Sequence, residues 1–329
     1  MALEFRSINV DTICYGRVGI GSKILATAPY ALNIYRISLT FKIMKTALPI
    51  LVLLFATTNL FSQNKVDIPE IGIVQNLEND SLVRAYGYRH LVESVARLIS
   101  PRNVTDEQFQ ENTKKIKSLS HPLYACNIFI PGELKVVGPD VNENAVLTYA
   151  EEVFKRCKSA GINMIIWGSG GSRRLPEGFD KEKAKEQFIS IARKVSDLGS
   201  RYNMRFALEN LNSTETNFIT RAEEALEIVK KVDRKNFGLC IDIYHMLKEG
   251  ESASIIEKAS SNLVYCEIAE KENRTPPGVR GDDFRPYLSA LKKIGYKGKI
   301  VIECRWDDVA KQGLSAYQYL SNQLKEVYN

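Results

Sequence analysis

The chain has 329 residues, 44% of them hydrophobic and 26% charged, enough to bury a full core and unlike a disordered or collagen-like polymer. The formal net charge of +6 is uneven: the first 63 residues hold six basic and two acidic side chains, leaving 39 basic against 37 acidic beyond them. A near-neutral body with no run of five Lys or Arg excludes nucleic acid and anionic membrane surfaces as partners, while three histidines and six cysteines without a C-x-x-C pair exclude a histidine-cluster site and a zinc ribbon.

In chain order, residues 1–43 show no sustained periodicity, precede a better start at Met44, and are expected to be an extension outside the native product. Met44-Lys45-Thr46 then opens a stretch without charge after Lys45 as far as Gln63, with the apolar block Ala47 to Ala56 inside it. A basic start, a short apolar centre and a polar end form the pattern of a secretory signal peptide over 44–63, in which the apolar block itself is too short to span a bilayer. The cleavage end, Leu60-Phe61-Ser62-Gln63, lacks a clean small-x-small pair. The remaining domain, 64–329, is therefore expected in the periplasm or outside the cell.

Within that domain, short apolar runs predict eight strands, at Ile71–Gln75, Tyr88–Glu93, Tyr124–Phe129, Asn163–Trp167, Arg205–Glu209, Phe237–Asp242, Leu263–Ile268 and Lys299–Cys304. Helix-period segments lie between them at Thr105–Leu119, Glu143–Ala160, Lys181–Tyr202, Arg221–Val232, Phe284–Ile294 and Leu314–Val327. Near-continuous apolar strands alternating with amphipathic helices indicate a parallel sheet covered on both faces. Eight such units without an internal linker predict one α/β domain, a single (β/α)8 barrel, with an open doubly wound sheet as the alternative. Cys126, Cys240, Cys266 and Cys304 fall inside apolar runs and read as free, buried cysteines.

In such a barrel the chemistry sits at the carboxyl ends of the strands. Four consecutive predicted strands carry a carboxylate at or next to their carboxyl end, after an apolar run: Glu209, Asp242, Glu267 and Glu303. Parallel neighbours would hold these four groups close together, and like charges that close repel unless a cation or protons neutralise them. A divalent metal is the economical solution, and oxygen donors suit Mg²⁺ or Mn²⁺, then Ca²⁺ or Co²⁺, better than zinc. Pairing with Arg274, Arg305, Lys271 or Arg173 is the alternative. Asn127 and Trp167, at two further strand ends, read as a polar contact and a stacking wall for substrate. Gly168-Ser169-Gly170-Gly171-Ser172 lacks the residues of a phosphate loop and reads as a tight turn near substrate, with Arg173 and Arg174 as anion donors.

Five segments also carry a resemblance. Trp167-Gly168-Ser169-Gly170-Gly171-Ser172-Arg173-Arg174-Leu175-Pro176-Glu177-Gly178-Phe179 comes first, then Leu208-Glu209-Asn210-Leu211-Asn212-Ser213-Thr214-Glu215-Thr216-Asn217. Asp242-Ile243-Tyr244-His245-Met246, Arg274-Thr275-Pro276-Pro277-Gly278 and Ile294-Gly295-Tyr296-Lys297-Gly298 before Glu303 follow in order. From about Ile71 onward the chain resembles the xylose isomerase-like superfamily, in particular the sugar isomerases and epimerases among which are ketose 3-epimerases, hydroxypyruvate isomerases and inosose dehydratases. The resemblance implies a TIM barrel whose single divalent metal is held by Glu, Asp, His and Glu. By motif the first Glu is Glu209, the Asp is Asp242 and the last Glu is Glu303.

The sequence departs from that pattern at Tyr265-Cys266-Glu267, where relatives read His-x-His. Either Glu267 ligates the metal, or the site has lost tight metal binding and become a different catalyst or a carbohydrate-binding protein. The resemblance further implies a small carbohydrate as substrate, with Glu209 and Glu303 as the acid/base pair that isomerises or epimerises a keto-sugar through an enediolate. Expulsion of a β-leaving group from the same intermediate would make the reaction a dehydration or lyase step. His245, Glu215 and Arg274 match family positions that contact the sugar. A neutral or oxidised sugar fits a secreted protein better than a sugar phosphate. Whether copies of the chain assemble is left open.

Overall fold

The structure is a computed structural model that describes residues 67–329. The expected extension (1–43) and signal segment (44–63) lie outside the described residues. Eight parallel strands close into a barrel in sequence order: β1 Ile71–Val74, β2 His90–Ser94, β3 Leu123–Asn127, β4 Met164–Trp167, β5 Arg205–Glu209, β6 Phe237–Asp242, β7 Leu263–Ile268 and β8 Ile300–Ile302. Each falls on the run that predicts it, to within two residues at either end.

The predicted helices form, and their ends follow from local capping. Thr105 and Gln108 make a reciprocal capping box before Asp106–Ser118, and Asn142 caps Glu143–Ala160, which stops at left-handed Gly161. The last helix begins at Val309 rather than Leu314 because the Asp308 side chain accepts from the Ala310 N–H and starts it early. Lys181–Ser200, Ala222–Val232 and Arg285–Lys293 complete the set. Short helices at Asp80–Ala85, Val95–Leu98, Ile243–Glu249 and Ser254–Ala259 were not anticipated, since a helix of one or two turns shows too little periodicity to stand out.

Strand side chains alternate between two layers. Val92, Ala125, Met164, Ile166, Ala207, Cys240, Tyr265 and Val301 fill the barrel interior. Their neighbours, among them Phe206, Leu208, Leu239, Ile241, Cys266 and Ile302, pack outward against the helices. This parity positions the site. Glu209 lies two residues beyond inward Ala207, Asp242 two beyond Cys240, Glu267 two beyond Tyr265 and Glu303 two beyond Val301, so all four carboxylates continue the inward face at the barrel's carboxyl end. Cys126, Cys157, Cys240 and Cys266 are free and buried, as expected of cysteines used as small apolar side chains, whereas Cys304, expected to be buried, is free but only half-buried because it lies beyond the end of β8.

Candidate active site

Glu209, Asp242, Glu267 and Glu303 converge at one point, each offering a carboxylate oxygen within 4.8 Å of the others. Neighbouring strands hold them in register, with Glu209 beside Cys240 and Asp242 beside Glu267. Glu209 has room because β4 continues into a glycine: a Cβ on Gly168 would sit 1.7 Å from Glu209 Oε2. Asp242 serves two purposes. Its Oδ1 accepts from the Tyr244 N–H at 2.8 Å and caps the Ile243–Glu249 helix, while Oδ2 faces the site. That cap explains why a helix starts immediately after β6, and why His245, one turn along, reaches back to Asp242.

Arg274 is the cation of the cluster. Its Nη2 donates to Asp242 Oδ2 at 3.0 Å and to Glu303 Oε2, its Nε donates to the Glu303 carbonyl at 3.1 Å, and its Nη1 lies 3.7 Å from Glu215 Oε1. The guanidinium also lies over the Tyr244 ring, 4.8 Å from the centroid. Asn127 Nδ2 donates to Glu303 Oε1 at 2.7 Å, fixing the carboxylate from β3. The His245 ring is fully buried, with Nε2 3.2 Å from Asp242 Oδ2 and 3.4 Å from Glu209 Oε1. Asn210 ties the ends of β5 and β6 by accepting from the Asp242 N–H at 3.1 Å.

One arginine does not balance four carboxylates. Burial, the neighbouring Glu303, Glu209 and Asp242 charges and the lack of a basic partner push Glu267 well above the usual carboxylate range. Burial pushes Glu303 up to about 7 against the opposing pull of Arg274. Glu267 Oε1 has no hydrogen-bond partner, and Oε2 meets only the Cys240 Sγ, 3.5 Å away. These are the features of a site built to hold a cation. The four oxygens span what a cation coordinated at about 2.1–2.4 Å would require, and a divalent charge removes the repulsion that otherwise retains protons. The residues therefore fit a divalent metal, with Glu209, Asp242, Glu267 and Glu303 as its donors. Glu267 points into the barrel and joins the cluster, as ligation in place of the histidine requires.

The structure brings Asn127, Glu209, Glu215, Asp242, His245, Glu267, Arg274 and Glu303 together and leaves Trp167 out. The Trp167 indole points the other way, into the layer between sheet and helices, where its ring centroid is 5.2 Å from those of Phe129 and Phe188 and 6.3 Å from that of Phe237. It is a core residue and forms no stacking wall. Arg173 is likewise no anion donor, because its buried guanidinium donates to the Trp167 carbonyl at 3.2 Å and the Glu209 carbonyl at 2.8 Å, tying the ends of β4 and β5. Burial lowers its pKa to about 10, so it remains charged at neutral pH. Arg174 donates to the Glu215 carbonyl. Among the described residues, the ion pairs to the four carboxylates come from Arg274, with His245 Nε2 also in contact with two of them, and none from Lys271 or Arg305. Asn210, Asn212 and Tyr244 are parts of the site that sequence reasoning did not assign, although all three stand inside the quoted motifs.

The xylose isomerase-like TIM barrel family matches residues 82–322. The chain belongs to this family. It is 28% identical over 172 residues to D-psicose 3-epimerase of Ruminiclostridium cellulolyticum, a match covering 50% of this chain and 57% of that protein. It is 24% identical over 171 residues to inosose isomerase of Bacillus subtilis, covering 49% and 60%. The chain thus spans little more than half the length of the curated relatives it matches. A crystal structure of D-psicose 3-epimerase in the presence of D-fructose superposes with a TM-score of 0.68 at 18% identity, covering 79% of this chain and 100% of that one. The IOLI protein with a bound zinc atom gives 0.62 at 19% identity, covering 79% and 98%. At these identities the solved structures establish the fold.

Proposed function

We propose that the protein is a metal-assisted sugar isomerase or epimerase that moves a proton on the carbon next to the carbonyl of a keto-sugar. The observation that carries this reading is the pairing of Glu209 and Glu303 at the two ends of a four-strand arc of carboxylates, one beside His245 and the other beside Asn127 and Arg274. The similarity to sugar epimerases and isomerases supports it. A divalent ion held by Glu209, Asp242, Glu267 and Glu303 would polarise the substrate carbonyl and acidify the neighbouring C–H. One carboxylate of the pair removes that proton, leaving an enediolate, and the other delivers a proton to give the isomer or epimer. Asn127 holds Glu303 in orientation, Arg274 and the His245 Nε2 side of the ring face the sugar oxygens, and Glu215 lies at the mouth. With oxygen donors from all four strands, the ion is Mg²⁺ or Mn²⁺.

Solvent exchange tests this directly. Protein stripped with a chelator and reloaded with Mg²⁺ should incorporate deuterium from D2O next to the carbonyl of at least one ketopentose or ketohexose, read by NMR. Loaded protein that binds these ketoses without exchange would make it a carbohydrate-binding barrel. Exchange accompanied by loss of a β-substituent would make it a lyase.

Gly168→Ala offers a check that leaves every acidic group in place. The new methyl would have to displace the Glu209 carboxylate, and a displacement of about 1 Å costs on the order of 10²-fold in turnover. Full activity in this variant, with its circular dichroism unchanged, would separate Glu209 from the reaction. Export is part of the same proposal: amino-terminal sequencing of native protein should find a start near Asn64 outside the cytoplasm, and a cytosolic protein beginning at Met1 or Met44 would contradict it.

A further inference from the structure

His245 creates an ambiguity in the metal centre. Glu209, Asp242 and His245 form a second trio with donor atoms within 4.8 Å of one another, sharing two members with the four-carboxylate set. The far side of the ring resolves it. His245 Nδ1 lies 2.7 Å from Asn212 Nδ2, and the amide is not free to turn over, because Asn212 Oδ1 accepts from the Thr214 N–H at 2.9 Å and from the Thr214 hydroxyl. Turning it would set an NH2 group against that backbone N–H and would also lose the bond that Asn212 Nδ2 donates to Glu215 Oε1 at 3.3 Å. Asn212 therefore presents an N–H to Nδ1, which must meet it with a lone pair.

We propose that Asn212 is a positioning residue that fixes the His245 proton on Nε2, withholding this histidine from the metal and presenting it to the site as a hydrogen-bond donor. A metal-ligating histidine gives its other ring N–H to an acceptor, and here the other nitrogen faces a donor, the reverse arrangement. A protonated Nε2 has no lone pair for a cation, so the ion belongs to the four carboxylates. The Nε2 atom is fully buried, 3.2 Å from Asp242 Oδ2 and 3.4 Å from Glu209 Oε1 without an aligned hydrogen bond, so its N–H is directed at the cluster in which a sugar oxygen would sit. That last role rests on the proposed sugar chemistry; the tautomer does not.

The test is long-range ¹H–¹⁵N spectroscopy of the full protein labelled at histidine, with and without Mg²⁺. The chain has only His90, His121 and His245, and His245→Gln assigns the signal. The expected result is a neutral ring protonated on Nε2 in both states. A proton on Nδ1 in the native protein, in either the neutral or the doubly protonated ring, overturns the proposal without recourse to any variant. Asn212→Asp replaces the donor by an acceptor that still satisfies Thr214. It should move the proton to Nδ1 and raise the affinity for Zn²⁺ relative to Mn²⁺ by about 10- to 100-fold, the scale on which groups behind a metal ligand act. An unchanged tautomer in that variant also overturns the proposal. Failure of every ketose to exchange deuterium, with the Nε2–H tautomer observed, would instead remove the proposed function and leave this assignment standing.

Discussion

Glu303→Gln is expected to lower turnover about 10²- to 10⁴-fold, the cost of losing general-base action by a positioned side chain. The substitution keeps the shape and the capacity to accept from Asn127 Nδ2, which lies 2.7 Å from Glu303 Oε1, so the fold should survive. It also removes a metal donor and the ion pair to Arg274. Metal content measured beside the rate separates these effects: a variant that retains its ion yet loses turnover points to proton transfer. Full turnover on a substrate that the native protein converts would remove Glu303 from the reaction.

Chelation is expected to have an effect of similar size, because polarisation of a carbonyl by a metal is worth several kcal/mol, or about 10²- to 10⁴-fold in rate. The ion-free protein should also reveal its surplus carboxylates in the pH dependence of its stability. Glu267 and Glu303 titrate above the ordinary carboxylate value of 4.5, so the folded ion-free protein binds protons that the unfolded chain releases. Their stabilising contribution is present below the unfolded pKa and is lost as pH rises through the folded value, about 7 for Glu303. The Tm of the ion-free protein should fall over this window. Because the cation displaces those protons, the rise in Tm on adding Mg²⁺ or Mn²⁺ should grow over the same window. A metal-induced shift that is flat or shrinks with rising pH would contradict a carboxylate-bound ion. Glu267→His should still bind a divalent ion, with preference moving toward zinc, cobalt or nickel as nitrogen replaces oxygen.

The barrel was legible because its strands are apolar runs of the right length between helical segments, and the carboxylate cluster because four such runs end in an acid. Parity made Glu267 readable: it stands two residues after Tyr265, just as Glu209 follows Ala207, and must share the face that Tyr265 occupies. The same rule was harder to apply at Trp167. Met164-Ile165-Ile166-Trp167 is apolar at every position, so both of its faces look buried and the pattern does not say which way the indole points. The register decides it, since Trp167 pairs with outward Leu208. Asn212 was invisible for a different reason. Its partner ring is 33 residues away, and a donor–acceptor match of that kind exists only after β5 and β6 are side by side.

Anomalous diffraction from crystals soaked in Mn²⁺ tests the central assignment most directly. The expected result is a single peak at the barrel mouth, about 2.0–2.6 Å from oxygens of Glu209, Asp242, Glu267 and Glu303, with Arg274 withdrawn from at least one of its two carboxylates. A map without such a peak, in which the Arg274 guanidinium still bridges Asp242 and Glu303, would show that arginine rather than metal neutralises this cluster.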